Sequence, residues 1–270
     1  MKKLSLVVGI VLVSIVVAMA LVSLVWTPFD PTRVVPAEAL QKPSRRHIMG
    51  TDGFGIDIFS RILAGSRIVM LVGVIAVGIA AVLGTPLGMF AGMVKGWPGT
   101  LVQRATDILF AFPALLLAIL LAAAVGGSTT TGMVAIGIAT IPVFARLARA
   151  GTLQVMSQDY VLAARSAGTP WLSVARRHVW PNIAPLIGVQ ASVSFGMAIL
   201  AEASLSYLGL ATPPTVPTWG RMLFDAQKFL FNAPNLTVWP ALAIALAVLG
   251  FNVLGDGLRD HLDPRLREVS

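Results

Sequence analysis

The sequence contains no cysteine among its 270 residues, and only 12% of the residues are charged. The lack of cysteine excludes a disulfide framework, a thiolate metal site and a cysteine nucleophile. The shortage of charge excludes an ordinary water-soluble globule, because soluble domains carry about twice this fraction. A hydrophobic fraction of 56% and a mean hydropathy of +0.83 indicate a chain that lies mostly within a lipid bilayer.

The sequence also lacks the arrangements of polar residues that catalysis would need. Its three histidines, His47, His178 and His261, fall in separate polar segments. No HExxH, GxSxG or GxxxxGK[ST] motif is present, so the chain has no P-loop with which to hydrolyse ATP. We therefore expect a protein that is not an enzyme and that uses no catalytic residue, no metal and no cofactor.

Six apolar runs separate the polar segments, and a helical pass through the hydrocarbon core takes about 20 residues. The runs are 4–26, 68–94, 101–125 with a kink at Phe112-Pro113, 132–150, 183–205 and 238–254. They predict an all-α polytopic membrane protein with about six transmembrane helices. Ala18-Met19-Ala20 has the form of a signal-peptide cleavage site, but the run continues past it, which favours a retained helix.

We divide the chain into three regions on this basis. Residues 1–66 form the first transmembrane helix and an external loop, whose last part, before Arg67, is expected to be a short surface helix. Residues 67–257 form the transmembrane core, and a Pro-rich loop at 209–220 precedes its last span. Residues 258–270 form a charged tail.

Two features within the spans suggest roles. Gly84, Gly88 and Gly92 recur every four residues, a spacing that lets a neighbouring helix approach closely. Glu202 lies in the fifth run, where an ionised carboxylate costs about 3 kcal/mol or more near the bilayer centre. It is either a pore or gate residue, together with Ser204, or a structural carboxylate that pairs within the bundle.

The basic residues give a topology. The net charge of +8 would suggest nucleic acid in a soluble protein, but in a membrane protein basic loops mark the cytoplasmic side, so we expect no nucleic-acid partner and contact with membrane lipid. Twelve of the 20 Lys and Arg residues fall on the side of the N-terminus. They are Lys2, Lys3, Lys95, Arg104, Arg146, Arg149, Arg165, Arg176, Arg177, Arg259, Arg265 and Arg267. Both termini and the polar segment 159–182 are therefore predicted to be cytoplasmic.

The segment 159–182 is predicted to be a hairpin of two short helices. Ala163 and Ala164 favour the first helix, and Gly168 can end it in the left-handed conformation. Thr169 is the expected N-cap of the second helix, with Pro170 at its first position.

Pro181 is expected to close the second helix, because proline cannot donate to the preceding turn. Helical spacing places four residues on one face and two arginines elsewhere, so this helix would be an amphipathic peg with an aromatic tip. The face consists of Trp171, Val174, Ala175 and His178, and the arginines are Arg176 and Arg177.

This hairpin resembles the EAA loop in the permease subunits of binding-protein-dependent ABC importers, through Ala163, Ala164, Gly168 and Pro181. Four further stretches resemble the second, C-type permease of the dipeptide/oligopeptide/nickel branch. They are residues 49–61, 201–210, 217–220 and 251–265. Two departures concern single contacts rather than the fold. Leu162 replaces the usual acidic residue of the hairpin, and the first loop has Gly55-Ile56-Asp57 where the family usually has Gly-Arg-Asp.

The resemblance implies a type I importer fold in the inner or plasma membrane. It implies a second, related permease, two cytoplasmic ATPases that hydrolyse ATP, and an external solute-binding protein. The hairpin would transmit ATPase closure to the pore, with Trp171 and Val174 buried in an ATPase cleft and Arg176 or Arg177 facing its acidic rim.

The sequence leaves alternatives open for the substrate and for the class of protein. Peptides lead because of the branch that the sequence resembles, whereas nickel, opines, glutathione and sugars are carried by similar permeases. A self-sufficient channel or secondary carrier is the main rival class, and a membrane scaffold is a weaker one. The shortage of charge within the spans weighs against an ion-coupled carrier.

Overall fold

The computed structural model describes residues 2–213 and 215–262, and this part of the chain is helical with no strand. The long helices are α1 (Lys2–Val25), α2 (Ile58–Met93), α5 (Thr129–Met156), α8 (Trp180–Tyr207) and α10 (Asn235–Leu262). The shorter ones are α3 (Trp97–Ala111), α4 (Ala114–Val125), α6 (Asp159–Ser166), α7 (Trp171–Val174) and α9 (Trp219–Ala226). The predicted all-α fold is confirmed.

The helices account for five or six membrane passes. Five of the described helical segments are long and apolar enough to span, with α7 and α8 joined into one. The helices α3 and α4 meet at an angle of 86° and make a sixth span if the bent pair is counted as one. Phe112 is extended there, and Pro113 cannot donate a helical hydrogen bond, so the expected kink is a full break between two helices.

The bundle is organised around the pair α2 and α5, which pack along most of their length, while α10 packs against α1 and α8. The stripe of glycines lies in the first of these interfaces. A Cβ on Gly88 would stand 2.1 Å from the carbonyl oxygen of Ala145, and one on Gly84 would stand 2.6 Å from that of Ile141. The two backbones therefore approach more closely than any side chain at these positions would allow.

The described structure differs from the sequence prediction around the first loop. Residues 58–67 are the first turns of α2, so the prediction of a separate surface helix is wrong, and α2 runs across the expected boundary at residue 66. Asp57 caps α2, since its Oδ2 accepts a hydrogen bond of 2.8 Å from the Ser60 amide. The apolar face of these turns is buried, which extends the helix beyond the apolar run.

Helix α9 was not predicted. Thr218 is its N-cap, since the Thr218 hydroxyl accepts a hydrogen bond of 3.2 Å from the Arg221 amide. Trp219 is completely buried, and its Nε1 donates to the Ile62 carbonyl at 3.0 Å, which fastens α9 across α2. At the C-terminus, the first residues of the predicted tail, 258–262, belong to α10, which ends at Leu262. The rest of the tail, residues 263–270, lies outside the described residues.

Buried ion pairs fold the loop 27–57 onto α2 and α9. Arg61 of α2 is almost fully buried and places Nη1 2.5 Å from Asp52 Oδ2 and Nη2 3.5 Å from Asp225 Oδ2. His47 Nδ1 lies 2.9 Å from Asp57 Oδ1. This loop and α9 thus form one end of the bundle, and the α2–α3 turn and α6 lie at the other.

Candidate functional site

The first helix of the polar hairpin ends in a Schellman motif. The Thr169 amide donates to the Ala164 carbonyl at 3.1 Å, and the Gly168 amide donates to the Arg165 carbonyl at 3.0 Å. Gly168 has φ +78°, the left-handed conformation that an L side chain rarely adopts. The chain therefore reverses at a fixed angle between α6 and α7.

The start of the second helix differs from its prediction. Pro170 has ψ 143°, so it is extended and precedes the helix, which begins at Trp171. No side chain caps this end. The prediction of Thr169 as N-cap with Pro170 as the first helical residue is therefore wrong by one position, because Pro170 takes the extended conformation that follows the Schellman turn.

Pro181 does not close the second helix. A π-helical turn, Ala175–Val179, joins α7 to α8, and the Trp180 amide donates to the Ala175 carbonyl five residues back. This wider turn precedes Pro181 and accommodates a residue that lacks an N–H and would crowd a regular helix. The prediction that Pro181 ends the helix is wrong, and the second arm of the hairpin is continuous with the membrane helix in one segment, Trp171–Tyr207.

The hairpin buries part of the face that was expected to dock elsewhere. Val174, Ala175 and Val179 are buried, as is Val161 of α6, and three of the four belong to the core of the chain itself. Val174 is only 1% exposed, so the prediction that it enters a partner's cleft is wrong. Its apolar surface holds the hairpin against the bundle instead.

The exposed part of the hairpin combines apolar and basic side chains. Trp171 and Leu172 are 60% and 64% exposed, and Tyr160 and Leu162 are exposed as well. The basic residues on this surface are Arg165, Arg176 and Arg177. Leu172 and Tyr160 were missed in the sequence, because only the fold shows that they remain uncovered.

His178 is half-buried and helps to join the two arms of the hairpin. Its ring lies 5.8 Å from that of Tyr160, and its carbonyl accepts a hydrogen bond of 2.6 Å from Asn182 Nδ2. The same Asn182 amide donates to the Tyr160 hydroxyl at 3.3 Å. His178 therefore contacts α6 more than it contributes to an exposed docking face.

Glu202 and Ser204 point to different surroundings. Glu202 is 2% exposed and accepts a hydrogen bond of 2.6 Å from Ser206 Oγ, which lies 3.0 Å from Thr212 Oγ1. This geometry favours the structural interpretation of Glu202, which holds the end of α8 to the loop that follows.

Ser204 instead lines two open apolar grooves on α8. One, of about 600 Å³, lies between α8, α9 and α10, and the other, of about 170 Å³, lies between α4, α5 and α8. Leu200 lines both grooves with Ser204. The face of α8 that carries these two residues is therefore without a partner helix in the described part of the chain.

A set of membrane-length helices, one of which continues without interruption into the second arm of the polar hairpin, defines a multi-pass membrane protein. No group of three or more His, Cys, Asp or Glu residues that could hold a metal ion occurs in the described residues. Residues 84–268 match the model of the family "Binding-protein-dependent transport system inner membrane component". The chain belongs to this family, and the resemblance seen in its sequence is confirmed.

Relatives and a solved structure agree with this assignment. The chain is 40% identical to the dipeptide transport system permease protein DppC of Alkalihalophilus pseudofirmus, over 97% of this chain and 86% of that protein. It is 42% identical to the glutathione transport system permease protein GsiD of Pectobacterium atrosepticum, over 94% of this chain and 85% of that protein. Its fold is similar to a chain of the inward-facing MetNI methionine ABC transporter, with a TM-score of 0.62 and 15% identity, over 78% of this chain and 96% of that one.

Proposed function

We propose that this chain forms half of the translocation pore of an ABC importer for peptides or a related small solute. The observation that carries the proposal is the continuous helix Trp171–Tyr207, which connects an exposed polar hairpin to the membrane interior without a flexible joint. The similarity to permeases named for dipeptide and glutathione transport supports a substrate with peptide bonds and terminal charges. Selectivity would rest mainly with an external solute-binding protein.

The importer would contain two cytoplasmic ATPases, and the hairpin is the proposed contact with one of them. Trp171 and Leu172 offer the exposed apolar contact, and Arg176 and Arg177 offer charge to an acidic rim. Ala163, Ala164 and Gly168 set the angle of the turn. Because the second arm is part of the membrane helix, a displacement of the hairpin would move the pore-lining end of α8 as a rigid lever.

The orientation follows from the proposed contact. The hairpin and the α2–α3 turn with Lys95 lie at one end of the bundle, where the ATPases would bind. Helix α1 then begins, and α10 ends, on the cytoplasmic side, and the folded loop 27–57 faces the external binding protein. The charge bias of the loops supports the same orientation.

Association with partners is the direct test of this proposal. Affinity-tagged chain, expressed with the ATPase and second-permease genes of its own system, is expected to co-purify with both kinds of subunit from detergent extracts. A self-sufficient channel or secondary carrier would instead transport without ATP from this chain alone in proteoliposomes. A membrane scaffold would purify without ATPase and would not transport. Either of these results would contradict the importer.

The unpartnered face of α8 is the proposed contact with the second permease and, at Ser204, the proposed pore or gate surface. Because the chain has no native cysteine, a single Ser204→Cys variant reports on this face alone. We expect a membrane-permeant maleimide to label it in the isolated chain at a rate that differs at least fivefold from the rate in the assembled importer. A covering second permease would slow the reaction, whereas a water-filled pore would speed it. Ser206→Cys, at a position that is 0% exposed, is the matched control and should stay unlabelled in both. Equal labelling of Ser204→Cys in both states would contradict the assignment.

A further inference from the structure

A cavity of about 470 Å³, open on one side, lies at the hairpin end of the bundle and is bordered by the α2–α3 turn, the last turns of α5 and helix α6. The residues that line it include basic, amide, hydroxyl and apolar side chains. Those that bear on its chemistry are Lys95, Thr100, Gln103, Arg149, Ser157 and Arg165. The cavity borders the exposed hairpin surface through Leu162 and Arg165, but Trp171, Leu172, Arg176 and Arg177, which carry the proposed ATPase contact, lie outside its lining.

The charge of this cavity is one-sided. Lys95, Arg149 and Arg165 line it, no carboxylate does, and none of the three forms an ion pair with any acidic residue that the structure describes. By contrast, the adjacent Arg146 pairs with Asp107 at 2.8 Å. Three uncompensated cations around one concave space create a strong positive potential there.

Arg149 adds an observation of a different kind. Its Nε atom is buried and has no hydrogen-bond partner among the described residues, although guanidinium nitrogens are costly to bury unpaired. The side chain also lines a neighbouring cavity of about 270 Å³, where the Asp107 carboxylate already pairs with Arg146. An acceptor that entered the larger cavity, which has no carboxylate, would supply the missing partner of this guanidinium.

The start of α3 contributes to the same space. This 15-residue helix begins at Trp97 behind Gly96, with no side chain capping its first turn, and Gly96, Gly99 and Thr100 line the cavity. Pro98 in this turn has no N–H, but the remaining free N–H groups of the first turn and the positive end of the helix dipole favour an anion. The three cations and this helix terminus therefore border the same cavity.

We propose that this cavity binds a phosphate-bearing anion. Arginine matches phosphate oxygens through paired N–H donors, and a basic pocket between membrane helices is suited to a lipid headgroup. The apolar wall formed by Leu153, Met156 and Leu162, and the exposed Trp97 at the adjacent turn, favour an anionic phospholipid as the source. Soluble phosphate is the other source of the same chemistry.

The test uses the full chain in dodecylmaltoside. Native mass spectrometry would count bound phosphatidylglycerol during a titration, with phosphatidylcholine as the uncharged reference, and thermal shift with inorganic phosphate would run in parallel. Each of Arg149→Gln and Arg165→Gln is expected to weaken phosphatidylglycerol binding about fivefold, the effect of one basic contact with a headgroup. Leu162→Glu, at an exposed position, adds an anion to the wall without touching the core and should weaken binding at least as much.

The matched control is Arg104→Gln, which removes an exposed cation of α3 that does not line the cavity and should change binding less than twofold. If it weakens binding as much as Arg165→Gln does, the effect is diffuse surface charge and the site is overturned. The site is also overturned if all three cavity variants bind phosphatidylglycerol and inorganic phosphate as well as the unmodified chain does. If those variants lose an ATPase partner at the same time, the occupant of the cavity is an acidic protein segment. If the cavity variants weaken only the binding of inorganic phosphate, the result supports the site and identifies soluble phosphate as its ligand.

Discussion

Replacing Trp171 by alanine is expected to lower ATP-driven uptake by more than tenfold while the chain still inserts and folds. The side chain is 60% exposed in the isolated chain, so its removal sacrifices little internal packing. Truncation of an aromatic anchor at a protein interface typically costs 2 kcal/mol or more, which corresponds to about thirtyfold in affinity. Uptake of labelled substrate into proteoliposomes that contain the assembled importer, with ATP supplied on the ATPase side, measures the effect.

Two comparisons make this result specific. Trp26→Ala removes another exposed tryptophan, 56% exposed at the opposite end of the bundle, and should leave uptake within twofold of the unmodified chain. Gly168→Pro should match Trp171→Ala by a different cause, because proline can neither adopt φ +78° nor donate to the Arg165 carbonyl. Normal uptake by Trp171→Ala would show that the hairpin does not couple the ATPase to the pore.

The spans and the turn at Gly168 could be predicted from the sequence because each depends on local properties. A run of apolar residues needs no knowledge of its neighbours to be recognised as a membrane helix. Glycine at a helix end likewise encodes its own left-handed conformation. Phe112-Pro113 predicted a kink from the sequence alone. The angle of 86° between α3 and α4 depends on how α3 lies across α2 and α5, which no local pattern specifies.

The errors concern positions where a distant contact overrides a local rule. Pro181 is an ordinary helix terminator, yet the π-helical turn before it keeps the helix intact. Val174 lies on the predicted amphipathic face, but Val161 and the bundle cover it, so amphipathicity indicated an internal interface instead of an external one. Likewise, α9 depends on the burial of Trp219 against α2, a contact across more than 150 residues of sequence.

The same dependence on distant contacts explains Glu202. The sequence shows a carboxylate in an apolar run and leaves its role open between a gate and a structural pair. Its hydrogen bond from Ser206 follows helical spacing, whereas the approach of Thr212 requires the loop after α8 to fold back. A polar group in a span is thus easy to find in a sequence, but its partner becomes known only from the fold.

Arg61 is expected to be the residue whose loss destabilises the chain most among its charged groups. Its side chain is 5% exposed, and it neutralises two largely buried carboxylates, Asp52 in the first loop and Asp225 in α9. Arg61→Met keeps the length of the apolar stem but leaves both carboxylates without this cation. Breaking a buried pair in this way typically costs about 3–5 kcal/mol, because the remaining charge is left uncompensated. Equilibrium unfolding of the purified chain in mixed micelles, followed by helical circular dichroism, measures the loss.

A double variant separates the charge effect from lost packing. In Arg61→Met/Asp52→Asn the asparagine keeps the oxygen that accepts hydrogen bonds from the Phe54 and Ile56 amides at 2.8 and 2.9 Å. It also removes the stranded charge of Asp52, whereas Asp225 keeps Arg221 as a partner at 3.1 Å. We therefore expect the double variant to be more stable than Arg61→Met alone. Arg46→Met is the control, because it removes an arginine that is 67% exposed from its pair with Glu38, and it should cost about 1 kcal/mol or less. If Arg61→Met costs no more than this control, or if Asp52→Asn does not relieve it, the ion pairs do not hold the loop to α2 and α9.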